Sequence, residues 1–321
     1  MLIEKIAKGV SGIVTYGFSP PKKNNTDEKI REIAQGFSKR IAALDIDAVV
    51  LYDIQDETDR ISDDRPFPFL PTLDPHDYSD NYLGDITKPK IIYRSIGKYT
   101  RKQFISHLEE VEKKAGHHPE VFVGASSGTQ NVSLKLAEAY QIIAERKSNL
   151  ILGGVTIPER HQKKHDEHLR ITQKANNGCQ FFVSQGVYNV QAAKNMLSDY
   201  YYHCLNNQLT PAPILFTLAP CGSAKTITFM KWLGISIPKW LENDLLNSQT
   251  MLEDSVKLCL DIFENLYRFA ADKNIPIGFN IESLSIRKTE IDASVELTKE
   301  IIIRIKRYQQ SFEEVIVSLE S

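Results

Sequence analysis

Eight short apolar runs recur along this chain of 321 residues, most of them separated by a stretch of helical periodicity. They are Gly12–Tyr16, Ala48–Tyr52, Lys90–Arg94, Val121–Val123, Leu150–Thr156, Gln180–Ser184, Ile214–Leu218 and Ile277–Ile281. Runs this short, bounded by turn residues, read as strands. The clearest unit is Val155–Asn189, where a strand leads into Pro158-Glu159-Arg160-His161, a cation-rich amphipathic helix, Gly178 and a second strand closing on Ser184-Gln185. Strand, helix and strand in so few residues form a right-handed crossover between parallel strands.

Helical periodicity fills Asp27–Leu44, Arg101–Ala115, Gln130–Arg146, Gln162–Asn176, Val190–Asn206 and Met251–Ala271. Gly116, Gly178 and Asn274-Ile275-Pro276 end helices as C-caps and breakers do. Eight alternations without a break in composition predict an α/β fold, a single (β/α)8 TIM barrel over residues 1–321. The opening helix Leu2–Lys8 is expected to plug the barrel bottom. Two insertions stand out, Gln55–Asp85 after strand 2 and Leu233–Asn247 before the long seventh helix.

Composition narrows the partners. The formal net charge is -2 with no long single-sign tract, which argues against nucleic acid and against an anionic membrane surface. No apolar run approaches the ~20 residues that cross a bilayer. The 4 cysteines (Cys179, Cys204, Cys221, Cys259) are widely spaced and form no CxxC pair. That pattern predicts reduced thiols in a cytoplasmic protein. A barrel of this kind hosts many chemistries, so function has to be read from the carboxyl ends of the strands.

Pro158-Glu159-x-His161, followed by Gly178-Cys179-x-x-Phe182-x-Ser184-Gln185, resembles the flavin-dependent methylenetetrahydrofolate reductases. Three further blocks agree in order: Tyr16-Gly17-Phe18-Ser19-Pro20-Pro21-Lys22 after strand 1, Ile214–Pro220, and Met230 to Leu241 with Ile237-Pro238-x-Trp240. The resemblance implies FAD over the barrel top, a pterin stacked on it, and hydride passing from NAD(P)H to flavin to folate. By position it gives Gln185 a hydrogen bond to the pterin, and Glu159, His161 and Lys174 to the flavin's ribose and diphosphate.

The departures matter as much. Gly17 stands where those reductases carry a glutamate. Gly124-Ala125-Ser126-Ser127-Gly128 replaces an Arg-Gly-Asp run, and Tyr52-Asp53-Ile54-Gln55-Asp56-Glu57 replaces a glycine-rich stretch. The expectation is a barrel that binds a reduced folate, 5,10-methylene- or 5-methyl-tetrahydrofolate, without the standard acid. The alternative is an FAD-dependent reductase whose acid has moved to Asp56, Glu57 or Glu282.

Each candidate has a plainer reading beside the functional one. Asp53, Asp56 and Glu57 offer a carboxylate for two-point recognition of a pterin, or form an acidic loop paired with Arg60 and Arg65. Phe67, in the proline-rich Arg65–Pro71, stacks on a flat ring or caps the core. Ser126 belongs to an anion cradle or to a βα turn capped by Thr129. Glu282 is an inward acid that binds folate, or a salt-bridge partner of Lys22 or Arg94. Arg287 answers the folate's glutamate carboxylate by resemblance. His161, His165 and His168 suggest a metal, with His161 and His165 spaced i,i+4, but a third ligand and a dry shell are not evident, so solvated histidines and no metal are expected. Partners beyond the small molecule would be a second copy or a methyl-transfer protein.

Overall fold

A computed structural model describes residues 2–56, 64–113, 118–125 and 132–320, with side chains through residue 311. Its eight strands are β1 Ile13–Phe18, β2 Ala48–Leu51, β3 Lys90–Ser95, β4 Glu120–Val123, β5 Leu152–Thr156, β6 Cys179–Gly186, β7 Ile214–Leu218 and β8 Ile277–Glu282. Each pairs in parallel with its sequence neighbours and β8 closes on β1, giving the (β/α)8 barrel that the alternation predicts.

Helix α1 (Leu2–Ala7) precedes β1, and α2 (Asp27–Ala42) links β1 to β2. The insertion after β2 contributes α3 (Pro75–Tyr82), started by Asp74, whose side chain accepts from the His76 and Asp77 amides. Next come α4 (Arg101–Lys113) and α5 (Leu136–Arg146), the latter shorter than the predicted Gln130–Arg146. The predicted helix Gln162–Asn176 is two helices, α6 (Pro158–Lys164) and α7 (Glu167–Asn176). Pro158 opens α6 at its first turn, and His165, at φ 54°, ends it in the left-handed region. Helices α8 (Val190–Asn206), α9 (Ala224–Trp232), α10 (Lys239–Asn247), α11 (Met251–Ala271) and α12 (Lys288–Glu320) complete the shell. No helix among the described residues is long and apolar enough to cross a membrane.

Strand register sorts side chains into two faces. Ile13, Thr15 and Gly17 of β1 lie opposite Gly278, Asn280 and Glu282 of β8. This set faces the barrel interior, where Ile13, Val50, Ile91, Phe181 and Leu215 pack with Leu2 and Ile6 of the plugging helix. The opposite face, with Phe182, Phe216 and Phe279, packs against the helices. The interior is therefore apolar at the bottom and becomes polar towards the carboxyl ends of the strands.

Candidate functional site at the barrel mouth

Halfway up the interior sit three fully buried polar side chains, Thr15, Thr217 and Asn280. Polar groups in such a place need partners, and each has them. Thr15 Oγ1 donates to Asn280 Oδ1 at 2.9 Å. Asn280 Nδ2 donates to the Tyr52 hydroxyl at 2.7 Å and to Thr217 Oγ1 at 3.2 Å. Thr217 Oγ1 in turn donates to the Ser184 carbonyl at 2.7 Å. Because the Tyr52 oxygen accepts from Asn280, its single hydrogen is left for the Glu282 carboxyl that it faces. Burial and the charge of Glu282 hold the Tyr52 phenol well above its ordinary pKa, so it stays a donor.

Glu282 ends β8, in register with Gly17 on β1. A Cβ at residue 17 would stand 2.5 Å from the Tyr52 hydroxyl and 2.9 Å from its ring. The position to which the resemblance would give a carboxyl is thus filled by Tyr52, and a carboxyl stands one strand away on β8. Burial pushes Glu282 up to about 7, against a smaller downward pull from Tyr52. Near neutral pH it can present either a hydrogen or two acceptor oxygens. Neither expected ion pair forms: Lys22 donates to the Leu70 carbonyl, and Arg94 pairs with Glu120 at 3.5 Å and Asp74 at 3.7 Å.

Gln185, near the end of β6, donates from Nε2 to the Leu233 carbonyl at 2.5 Å. Its amide oxygen takes no hydrogen bond among the described residues and remains an acceptor at the mouth. Glu159, on the first turn of α6, approaches the Ser236 amide of the same loop that Gln185 holds. It is 7% exposed, and neither carboxylate oxygen meets a donor at bonding geometry. Burial pushes it up to about 7.

The other residues that the resemblance gives to FAD lie behind the barrel wall. Lys174 Nζ donates to the Val155 carbonyl at 2.5 Å, and its stem lies beside Gly154, whose register places it on the helix-facing side of β5. Burial lowers its pKa. His161 is 1% exposed, with Nε2 3.0 Å from Asp199 Oδ2 on α8. The expectation of solvated histidines fails here, because α6 turns His161 inward onto α7 and α8. These positions do not fit a flavin-binding role, since the cation and the imidazole are held in the helical layer rather than turned to the mouth.

Among the remaining candidates, Asp53 accepts from the Ser95 amide at 2.8 Å and pairs with Lys98, which ties β2 to β3. Asp56 is exposed. Glu57, Arg60, Ser126 and Thr129 lie outside the described residues. Phe67 meets Phe229 of α9 edge-on at 5.2 Å, with Lys225 Nζ 4.5 Å from its ring centre, so it is docked on α9. Arg287 is exposed just before α12. Sequence reading missed Tyr52, Thr15, Thr217 and Asn280 as a unit. The available signal was parity, since Ala48, Val50 and Tyr52 alternate onto the face that also carries Asn280 and Glu282.

No protein-family model and no curated protein matches the chain. A solved structure does, at 53% identity and a TM-score of 0.83, covering 94% of this chain and 99% of that one. It is an uncharacterized protein from Clostridium thermocellum described as binding two copies of 5-methyl-5,6,7,8-tetrahydrofolic acid. The chain belongs to the family of that protein. Identity at this level over nearly the whole of both chains makes the two proteins homologous. The 7,8-dihydropteroate synthase of Vibrio fischeri ES114 also aligns over 92% of the chain, at 11% identity and a TM-score of 0.45, too remote to inform the site.

Proposed function

We propose that this chain binds a reduced folate of the 5-methyltetrahydrofolate class at the carboxyl-end mouth of its barrel, with Gln185, Tyr52 and Glu282 facing the pterin. The observation that carries the reading is the 53% identity to the Clostridium thermocellum protein, which is described as binding two copies of that folate. The chemistry of the mouth supports it. An ionised Glu282 offers two oxygens to the adjacent ring N–H and amino group of a pterin, a two-point match. The Gln185 amide oxygen adds a further acceptor. The buried network behind Tyr52 fixes the donor that orients Glu282, so the site is organised before the ligand arrives.

The likeness to methylenetetrahydrofolate reductases is read as distant kinship in which standard reduction has been given up. Gly17 leaves no acid on β1, Tyr52 occupies its space, and His161 and Lys174, two of the residues assigned to flavin, face the helical layer. One observation favours a second reading, a reductase with a relocated acid: Glu282 stands opposite Gly17 with its pKa pushed up to about 7. Two measurements separate the readings. Purified protein should be colourless and take up no added FAD, while 5-methyltetrahydrofolate should raise its melting temperature according to RT ln(1 + [L]/Kd). A bound flavin absorption band would support the reductase, and no shift with any reduced folate would remove both readings.

A further inference from the structure

We propose that His161, His168 and Asp199 form a binding site for a divalent transition-metal ion of the Zn2+ class. Each offers one ligand atom, and the three atoms lie within 4.8 Å of one another. The set comes from three successive helices: His161 from α6, His168 from α7 and Asp199 from α8. Two imidazoles and one carboxylate suit Zn2+, which takes three protein ligands with one position left open. His161 Nε2 and Asp199 Oδ2 are already 3.0 Å apart, near the ~3.4 Å edge of a tetrahedral Zn2+ site. His168 brings its ligand atom within 4.8 Å of the other two.

Two further observations point to a missing partner. Nδ1 of His168 is buried without a hydrogen-bond partner, an arrangement that native interiors avoid. In addition, His203 lies one turn beyond Asp199 on the same face of α8, its ring 5.5 Å from that of His168. The Asp199 side chain is 52% exposed and gives an ion a path in from solvent. A second group of histidines, His76, His107 and His118, makes the contrast. Its rings are 6.1 and 6.4 Å apart, and His107 is committed to Glu120 at 2.9 Å. Proximity of imidazoles alone therefore does not make the site.

An ion held here would tie α6, α7 and α8 together on the outside of β5 and β6, away from the barrel mouth. The proposal is independent of the folate reading. The test uses the full-length, tag-free protein, stripped with chelator and titrated with Zn2+ and Co2+. One equivalent of Zn2+ is expected to bind and raise the melting temperature, and Co2+ is expected to give a visible ligand-field band that Zn2+ displaces. His168→Ala and Asp199→Asn should each weaken Zn2+ binding by about tenfold or more, whereas His76→Ala should leave it unchanged. Both test residues lie at or near the surface, and far-UV circular dichroism confirms folding. If His168→Ala unfolds, Asp199→Asn alone decides. Binding well below one equivalent, or equal affinity in Asp199→Asn and the parent protein, overturns the site.

Discussion

Tyr52 lies directly over Gly17, so that a Cβ at residue 17 would stand 2.5 Å from the Tyr52 hydroxyl. One strand away, Glu282 sits in register with Gly17 and faces that same hydroxyl. The glycine, the phenol and the acid form a single arrangement: the small residue makes room for the ring, and the ring presents its hydrogen to the carboxyl.

Restoring the reductase-like acid should therefore harm the fold. Gly17→Glu is expected to cost roughly 1–3 kcal/mol by overpacking. Tyr52→Ala in the same chain should recover part of that loss, giving a favourable coupling in a double-mutant cycle followed by urea unfolding. Strictly additive costs would mean that the two side chains do not compete for the space.

The Asn280 amide is the hub of the interior network. Asn280→Ala strands Thr15 Oγ1 and removes the donor to Tyr52 and Thr217, each buried. With ~1–3 kcal/mol for each unsatisfied group, a loss of about 3 kcal/mol is expected in chemical denaturation. Thr15→Val, which removes one end of the chain of bonds, should cost about a third as much. Equal losses would show that the network does not converge on Asn280.

Glu159 makes a pH prediction. Its folded pKa, raised to about 7, lies above the ordinary value of 4.5, so the native state holds the extra proton between these two values. Stability therefore declines as pH rises through that window, and the penalty is complete above it. Glu159→Gln should remove this share of the decline and gain on the order of 1–3 kcal/mol at about pH 8, while matching the parent protein at about pH 4.5. Glu282, raised to the same value, keeps its own contribution in the variant. Parallel melting curves against pH would contradict the assignment.

The barrel was legible because its strands are short apolar runs and its helices carry clear periodicity; seven of the eight strands shift at one or both ends by at least a residue, but none is lost. The break at His165 was harder to see, since a left-handed histidine leaves no mark that a glycine would have left. Glu282 and Gln185 were readable from their place at strand ends. Tyr52 was not read as the replacement for the missing acid, because that role depends on the contact between neighbouring strands over Gly17. Of the cluster His161, His168 and Asp199, the two histidines were readable in the sequence and Asp199 was not. It comes from α8, and only packing of the helices shows that it arrives.

Gln185 and Glu282 are the residues through which the barrel mouth is proposed to bind a reduced folate. Calorimetric titration of 5-methyltetrahydrofolate into the parent protein, Gln185→Ala and Glu282→Gln tests that proposal most directly. Saturable binding is predicted, weakened by roughly 1–3 kcal/mol in each variant if these groups are buried partners of the ligand. Absence of binding to the parent protein, or unchanged affinity in both variants, would contradict the account.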